Sequence, residues 1–322
     1  MKFRIVLALP ALAFSALALV SLGASAQDEK KVDKKPAPKK NIVATDAKDA
    51  GVDFLVQGEY QGDKLAAQVF ASGDGKFDVY FLTGGLPGAG WDGKGRVKVP
   101  ATLDQDKAAA TIKSPAHTGT IKLGAPAVLT GESKEGKFTL TRVERKSPTL
   151  GAKPPEGARV LFDGANTGEW NGKVDNGLLA VPATTKNPLK IAKLHIEFVA
   201  PFMPSARGQG RGNSGVYIYG KEIQVLDSFA LDGKNNECGG IYSEVAPLVN
   251  MCLPPLSWQT YDVEIAPGAV DPKSKKASNL LTVHHNGVKI HENIPWNTTG
   301  NINLQNHGNP VFFRNIWIVE NK

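Results

Sequence analysis

The chain has 322 residues, 41% of them hydrophobic and 21% charged, which suits two packed domains and excludes a wholly disordered polymer. Its 34 Gly and 21 Pro follow no Gly-X-Y period, and Met is scarce, so collagen and helical bundles are excluded and turn-rich β structure is favoured. The net charge of +7 collects at the N-terminus, leaving residues 41–322 at only +2; no basic face is expected, and no nucleic-acid partner.

Met1–Ala26 reads as a secretory signal: Lys2 and Arg4, an apolar run, then Ala24-Ser25-Ala26. The mature chain is expected to start at Gln27, in a periplasmic or extracellular space, without stable membrane insertion. An uncleaved anchor is the other reading of the same run. Residues 27–50 read as a Lys- and Pro-rich linker, with a surface tether as the functional alternative.

Residues 51–146 read as a small β domain of unknown role. Its strand candidates are Lys64–Ala71, Lys76–Leu82, Ala108–Lys113, Ala127–Gly131 and Lys137–Val143. Phe77, Val79 and Phe81 alternate with Asp78, Tyr80 and Leu82, the period of a half-buried strand. Thr83–Gly95 is a long loop carrying Trp91. No catalytic constellation occurs here, and His117 reads as a surface residue. Residues 147–157 hold three prolines and read as the inter-domain linker.

Residues 158–322 are again all β. Eleven short strands are predicted, at Arg159–Phe162, Gly177–Val181, Leu189–Val199, Gly215–Tyr219, Glu222–Leu226, Gly240–Tyr242, Trp258–Ile265, Leu280–His285, Val288–His291, Ile302–Gln305 and Val311–Val319. Asn286-Gly287 is the strongest hairpin signal. The count predicts an all-β, two-sheet jelly-roll sandwich behind a smaller β domain. Cys238 and Cys252 are the only cysteines, and in an exported chain they read as a disulfide.

Gly210–Gly215 matches G-x-G-x-x-G, but a strand follows rather than a helix, so the dinucleotide reading is rejected. Asn297-Thr298-Thr299 is a glycosylation sequon. His284, His285 and His291 flank the Asn-Gly turn and read as solvent-facing rather than metal-binding. No cofactor is required by the sequence; a divalent metal stays open.

Glu222-Ile223-Gln224-Val225-Leu226-Asp227 is more informative. Glu222 and Gln224 share one strand face, and a bulge after Gln224 would bring Asp227 onto it. Two carboxylates in a groove suit glycosidic-bond chemistry. An exposed polar strand with its acid in the following turn explains the same pattern. Gly300–Glu320 gathers Gln305, Asn306, His307, Arg314 and Asn315 among Phe312, Phe313 and Trp317, a composition that suits sugar binding and equally suits sheet stabilisation.

Five blocks carry a resemblance: Leu161–Gly164 with Trp170; Asn213–Tyr217; Glu222–Asp227; Gly239–Tyr242 with Trp258 and Tyr261; and Leu304–Gly308 with Phe313–Ile316. In that order they resemble the 3-keto-disaccharide hydrolase domain family, over about half the chain. The resemblance implies a concanavalin-like jelly roll and cleavage of a glycoside already oxidised at C3. A 3-ketone acidifies the C2 proton, so a base can remove it and expel the C1 substituent, and water can then add. Glu222 is expected as the base, Asp227 or His307 as the acid, and Arg314 as the holder of the keto oxygen. Gln224, Asn213, Tyr242, Gln305 and Asn315 are expected to bind sugar. Related sequences often carry Asp where Asn306 stands, and an amide is no base. A carbohydrate-binding module without turnover and a structural surface protein are the rival readings.

Overall fold

The structure, a computed structural model, describes residues 41–165, 167–270 and 277–321. The expected signal over 1–26, the start at Gln27 and the Lys-rich part of the linker lie outside these residues. The last residues of that linker are not free chain. Ala44 exchanges backbone hydrogen bonds with Phe202 (3.0 and 2.8 Å), Ala44 and Ala50 are buried, and Asp46 caps a single turn at Ala47–Asp49. One short helix, α1 (Val52–Val56), follows.

Eight antiparallel strands then close into a barrel: β1 (Gly58–Gln61), β2 (Leu65–Gly73), β3 (Lys76–Thr83), β4 (Arg96–Leu103), β5 (Ala109–Lys113), β6 (His117–Lys122), β7 (Val128–Ser133) and β8 (Gly136–Val143). Each pairs with its sequence neighbour, and β1 pairs with β8, so no edge is left exposed. Phe77, Val79 and Phe81 point inward as their alternation requires and meet Tyr60, Val69, Val99 and Leu129. Strands β1, β4 and β6 carry weak signals. Pro100 lies within β4, and the pairing of β4 with β5 starts only at Ala101. His117 is not a surface residue: it is 8% exposed and stacks on Phe81 with ring centroids 4.1 Å apart.

The second half is a jelly-roll sandwich. Its strands are β9 (Arg159–Phe162), β10 (Trp170–Asp175), β11 (Leu178–Thr185), β12 (Ile191–Val199), β13 (Ser214–Ile218), β14 (Lys221–Val225), β15 (Gln259–Val270), β16 (Ala277–His285), β17 (Val288–Trp296), β18 (Ile302–Leu304) and β19 (Phe312–Glu320). The ladder runs β14-β13-β18-β11-β19-β12-β15-β16-β17, with β10 on β11 and β9 on β19. Strand β11 pairs with both β18 and β19, which carries the ladder from one layer to the other. Val216, Ile223 and Leu304 of one layer and Ile196, Val263 and Leu281 of the other share one core. Each such side chain contributes about 1.5–3 kcal/mol on burial.

Asn286 and Gly287 both adopt positive φ (51° and 78°) and turn β16 into β17. The neighbouring histidines do not all face solvent. His285 is fully buried, donates from Nε2 to Gln259 Oε1 (3.0 Å), and is pushed down to about 3 by burial, so it is neutral. His291 is 2% exposed and donates from Nε2 to Gly239 O (2.6 Å).

Cys238 and Cys252 are free thiols, against the expected disulfide. The two thiols are hydrogen-bonding neighbours, and each has further partners: Cys238 Sγ lies 3.2 Å from Tyr261 Oη, and Cys252 Sγ lies 3.5 Å from both Leu226 O and Leu253 O. Both are buried, which shields them from oxidants.

Candidate active site

Strands β14, β13 and β18 form the floor. Their register places Glu222 opposite Tyr217, and Gln224 opposite Gly215. Tyr217 is in turn opposite Asn303, and Gln305 N donates to Gly215 O (2.9 Å). Period-2 alternation therefore puts Glu222, Gln224, Tyr217 and Gln305 on one outer face, while Val216, Ile223, Val225 and Leu304 fill the core behind it. Strand β14 is not an edge. Gln224 N donates to Gly240 O (2.9 Å) and Tyr242 N donates to Glu222 O (3.1 Å), so residues 239–242 run alongside.

Glu222 is 7% exposed. Its Oε2 accepts from Tyr217 Oη (2.8 Å); its Oε1 is buried with no partner among the described residues. Burial raises its pKa above the ordinary carboxylate value, opposed by the Tyr217 hydrogen bond and the charge of His307. The carboxylate lies over Gly215, where a Cβ would sit 2.0 Å from Glu222 Oε1. Gly215 thus makes room for the acid. Burial and the Glu222 hydrogen bond push Tyr217 up to about 12, so it stays a neutral donor.

The surrounding amides are ordered by backbone anchors. Gln209 Nε2 donates to Asn236 O (2.7 Å), which aims its Oε1 at Gln224 Nε2 (2.9 Å) and Asn213 Nδ2 (3.0 Å). Asn213 Nδ2 also donates to Gln209 O (2.8 Å), and Asn213 N donates to Asn309 Oδ1 (2.7 Å). Gln305 Nε2 donates to Tyr217 Oη (3.3 Å). His307 and Tyr242 are exposed, and the charge of His307 reaches Glu222. Asn306 Oδ1 accepts from Gly308 N (2.9 Å), so it shapes the turn beside His307 and does no proton chemistry.

Asp227 does not join this face. Strand β14 keeps a continuous register to Val225, with no bulge after Gln224. Beyond it Asp227 is wholly buried and accepts from Arg211 Nε (2.7 Å) and Phe229 N (3.3 Å). Burial raises its pKa, and the Arg211 charge opposes that. Arg211, 2% exposed, also donates from Nη1 to Ala71 O and Pro204 O (both 3.2 Å) and stacks on Phe70 at 4.1 Å. The pair joins barrel to sandwich and offers no acid to a ligand.

Arg314 and Asn315 are also elsewhere. Arg314 Nε donates to Glu197 Oε2 (2.7 Å), and its guanidinium lies 3.9 Å from the Trp258 ring. Asn315 Nδ2 donates to Glu197 Oε1 (2.9 Å) and to Ala152 O (3.1 Å). They belong to a cluster under residues 147–152. There buried His195 sits between Asp262 (Nδ1 to Oδ1, 2.6 Å) and Glu197 (Nε2 to Oε1, 3.5 Å), stacked on Trp317. Gly151 N donates to Glu197 Oε1 (2.6 Å) and Thr149 Oγ1 to Asp262 Oδ2 (2.6 Å), so this network holds the linker. Burial alone would lower the His195 pKa, but the two carboxylates outweigh it and raise it. Burial works to raise Glu197, yet His195, Asn315, Arg314 and Gly151 hold it at about 2.

A cleft of about 440 Å³ is lined by Glu59, Arg145, Leu256 and Trp258, among others. Both of its acids are paired: Glu59 receives Arg145 Nε and Nη2 at 2.6 Å each, and Glu144 Oε1 accepts from Arg142 Nη1 at 3.2 Å. Among the described residues, the buried carboxylate oxygen without a partner is Glu222 Oε1. Among the described residues no three His, Cys, Asp or Glu converge as metal ligands. Gln209, Tyr217 and Gly215 are the site residues that sequence reading did not single out. Tyr217 and Gly215 lay in the strand alternation; Gln209, on a loop before β13, carried no signal.

The two-sheet β-sandwich, bearing a buried acid amid amides and tyrosines on one outer face, is a jelly roll of the concanavalin-like class. The model of the 3-keto-alpha-glucoside-1,2-lyase-like domain matches residues 157–319, just over half of the chain, and the chain belongs to that family. Among solved structures, a presumed glycosyl hydrolase from Parabacteroides distasonis is 30% identical, covering 52% of this chain and 85% of its own, with a TM-score of 0.45. A second from the same organism is 18% identical, covering 52% and 95%, with a TM-score of 0.40. No curated protein matches the chain.

Proposed function

We propose that this is an exported enzyme that cleaves 3-keto-glycosides, with Glu222 as the base. The observation that carries the reading is the free, buried Oε1 of Glu222, with a raised pKa, on a face otherwise made of amides and tyrosines. Family membership supports a carbohydrate-active function, and the 3-ketone is what makes one carboxylate sufficient.

Glu222 removes the proton at C2, and the electron pair moves onto the ketone oxygen at C3 as an enolate. The enolate collapses to restore the ketone, forms the C1–C2 double bond and expels the C1 oxygen substituent. That leaving oxygen takes a proton from His307, the exposed imidazole whose charge reaches Glu222. Water adding across C1–C2 gives the free 3-keto sugar. Tyr217 holds Glu222 and keeps its second oxygen free to act. Asp227 has no part in this scheme, being committed to Arg211, and Arg314 cannot reach the enolate from beside Glu197.

Incubation with a 3-keto-glucoside deuterated at C2 tests the scheme. Loss of deuterium to water together with the aglycone is expected. Aglycone release with the label retained would contradict C2 abstraction.

A further inference from the structure

Beyond Glu222, three amide oxygens on or beside the site face are buried without a partner among the described residues: Asn213 Oδ1, Gln224 Oε1 and Gln305 Oε1. Asn213 and Gln224 are each 1% exposed. Left alone, three unpaired buried carbonyl oxygens are costly, and native proteins complete such groups with an ordered water, an ion or a ligand. Their orientation is not free. The donor end of each amide is occupied: Gln224 and Asn213 by Gln209 Oε1, and Gln305 by the Tyr217 hydroxyl, which itself donates to Glu222. Gln209 is in turn fixed by the backbone carbonyl of Asn236.

The loop that carries Gln209 is tied to the barrel. Arg207 Nη2 donates to Ser72 O (2.7 Å), Arg211 Nη1 reaches Ala71 O (3.2 Å), and Gly73 packs so closely on Ser205 that a Cβ there would meet its Oγ at 2.6 Å. Both carbonyls belong to the end of β2.

We infer that Gln209 is a positioning residue, held in place by the barrel, that locks the Asn213 and Gln224 amides with their nitrogens toward it and their oxygens left as acceptors, so that the site recognises hydroxyl groups as donors. This rests on the sugar reading of the site. It gives the barrel a role in recognition without any contact to the ligand.

The discriminating probe is a ligand hydroxyl replaced by fluorine, which matches the size but cannot donate. C2 reacts and C3 is a ketone, so the positions to test on a 3-keto-glucoside are 4-deoxy-4-fluoro and 6-deoxy-6-fluoro. In the unaltered protein at least one of them should weaken kcat/KM about ten-fold or more, since a buried acceptor loses its donor. In Gln209→Leu the Asn213 and Gln224 amides are free to turn, and the same penalty should shrink to about three-fold or less, chiefly through KM. Arg207→Ala, which cuts the tether at Ser72 outside the site, should reduce it in the same direction. No fluorine penalty in the unaltered protein, or an unchanged penalty in Gln209→Leu, would overturn the inference, and an unchanged one in Arg207→Ala would remove the barrel from it. A requirement for a divalent cation, seen as loss of binding on chelation, would also overturn it, because the oxygens would then be metal ligands. If no 3-keto-glycoside is turned over, the same ratios are read as Kd by calorimetry. A fluorine penalty without turnover sinks the enzyme reading alone; turnover without a penalty sinks this inference alone.

Discussion

Replacing Gly215 with alanine should disable the site while sparing the fold. The new Cβ would stand 2.0 Å from Glu222 Oε1, 2.7 Å from Cδ and 3.0 Å from Cγ. Ordinary carbon–oxygen contact begins near 3.3 Å, so the carboxylate must retreat by about 1.3 Å. Gly215 does not have positive φ, and the clashing atoms are the tip of a side chain, so β13 itself is unstrained. The retreat breaks the 2.8 Å bond from Tyr217, a loss of about 1.5–3 kcal/mol for a hydrogen bond to a charged group. Part of this returns through the lower entropy of the unfolded chain that alanine gives. Thermal melting should therefore show a shift of a few degrees and a single cooperative transition. Catalysis should suffer far more, because displacing a reacting group by about 1 Å costs about 10²-fold. Steady-state kinetics on a 3-keto-glucoside, with melting on the same preparation, make the comparison. Turnover within two-fold of the unaltered protein would show that Glu222 does not act from the position described.

Four further outcomes follow from the structure. Because its folded pKa is raised, ionised Glu222 costs stability as pH climbs through that value; Glu222→Gln should raise Tm at pH 8 while lowering turnover about 10²–10⁴-fold. Tyr217→Phe removes the hydrogen bond that opposes the shift, so the acid limb of the kcat/KM–pH profile should move to higher pH; an unmoved limb would separate that limb from Glu222. Arg211→Leu strands Asp227 as a buried unpaired group and should cost about 3–5 kcal/mol in urea unfolding, with Arg211→Leu/Asp227→Leu recovering most of it. His195, raised, stabilises fully below its unfolded value and loses this as pH rises through its folded one; Glu197, held at about 2, stabilises above its unfolded value near 4.5. The clasp on residues 147–152 should thus be tightest between about pH 4.5 and 6.5, and hydrogen exchange at Gly151 should slow in that window and lose its high-pH limb in His195→Asn.

The β alternation was the most legible part of the sequence. Phe77, Val79 and Phe81 went inward as their spacing required, and Glu222 and Gln224 took one face while Ile223 and Val225 took the other. Strands interrupted by proline or glycine escaped detection, because Pro100 and Gly119 look like turn residues until a barrel closes around them. The site was half legible. Residues on adjoining strands could be grouped from alternation, but what lies across a turn could not. Asp227 needed a bulge that β14 does not make, and its true partner, Arg211, was hidden inside a glycine-rich stretch that reads as a loop. Arg314 and Asn315 have a sugar-binding composition, yet they lie on β19 beside β12, where Glu197 was waiting. Partner identity across sheets is a tertiary fact that spacing does not encode.

The most direct test of the central claim is product analysis of the protein on matched substrates. A 3-keto-glucoside and its unoxidised parent should be offered at equal concentration, and the products separated and identified. Cleavage is predicted for the 3-keto compound alone, with exchange of the C2 hydrogen and with loss of activity in Glu222→Gln. Equal cleavage of the unoxidised parent, or binding of both without any cleavage, would contradict the account.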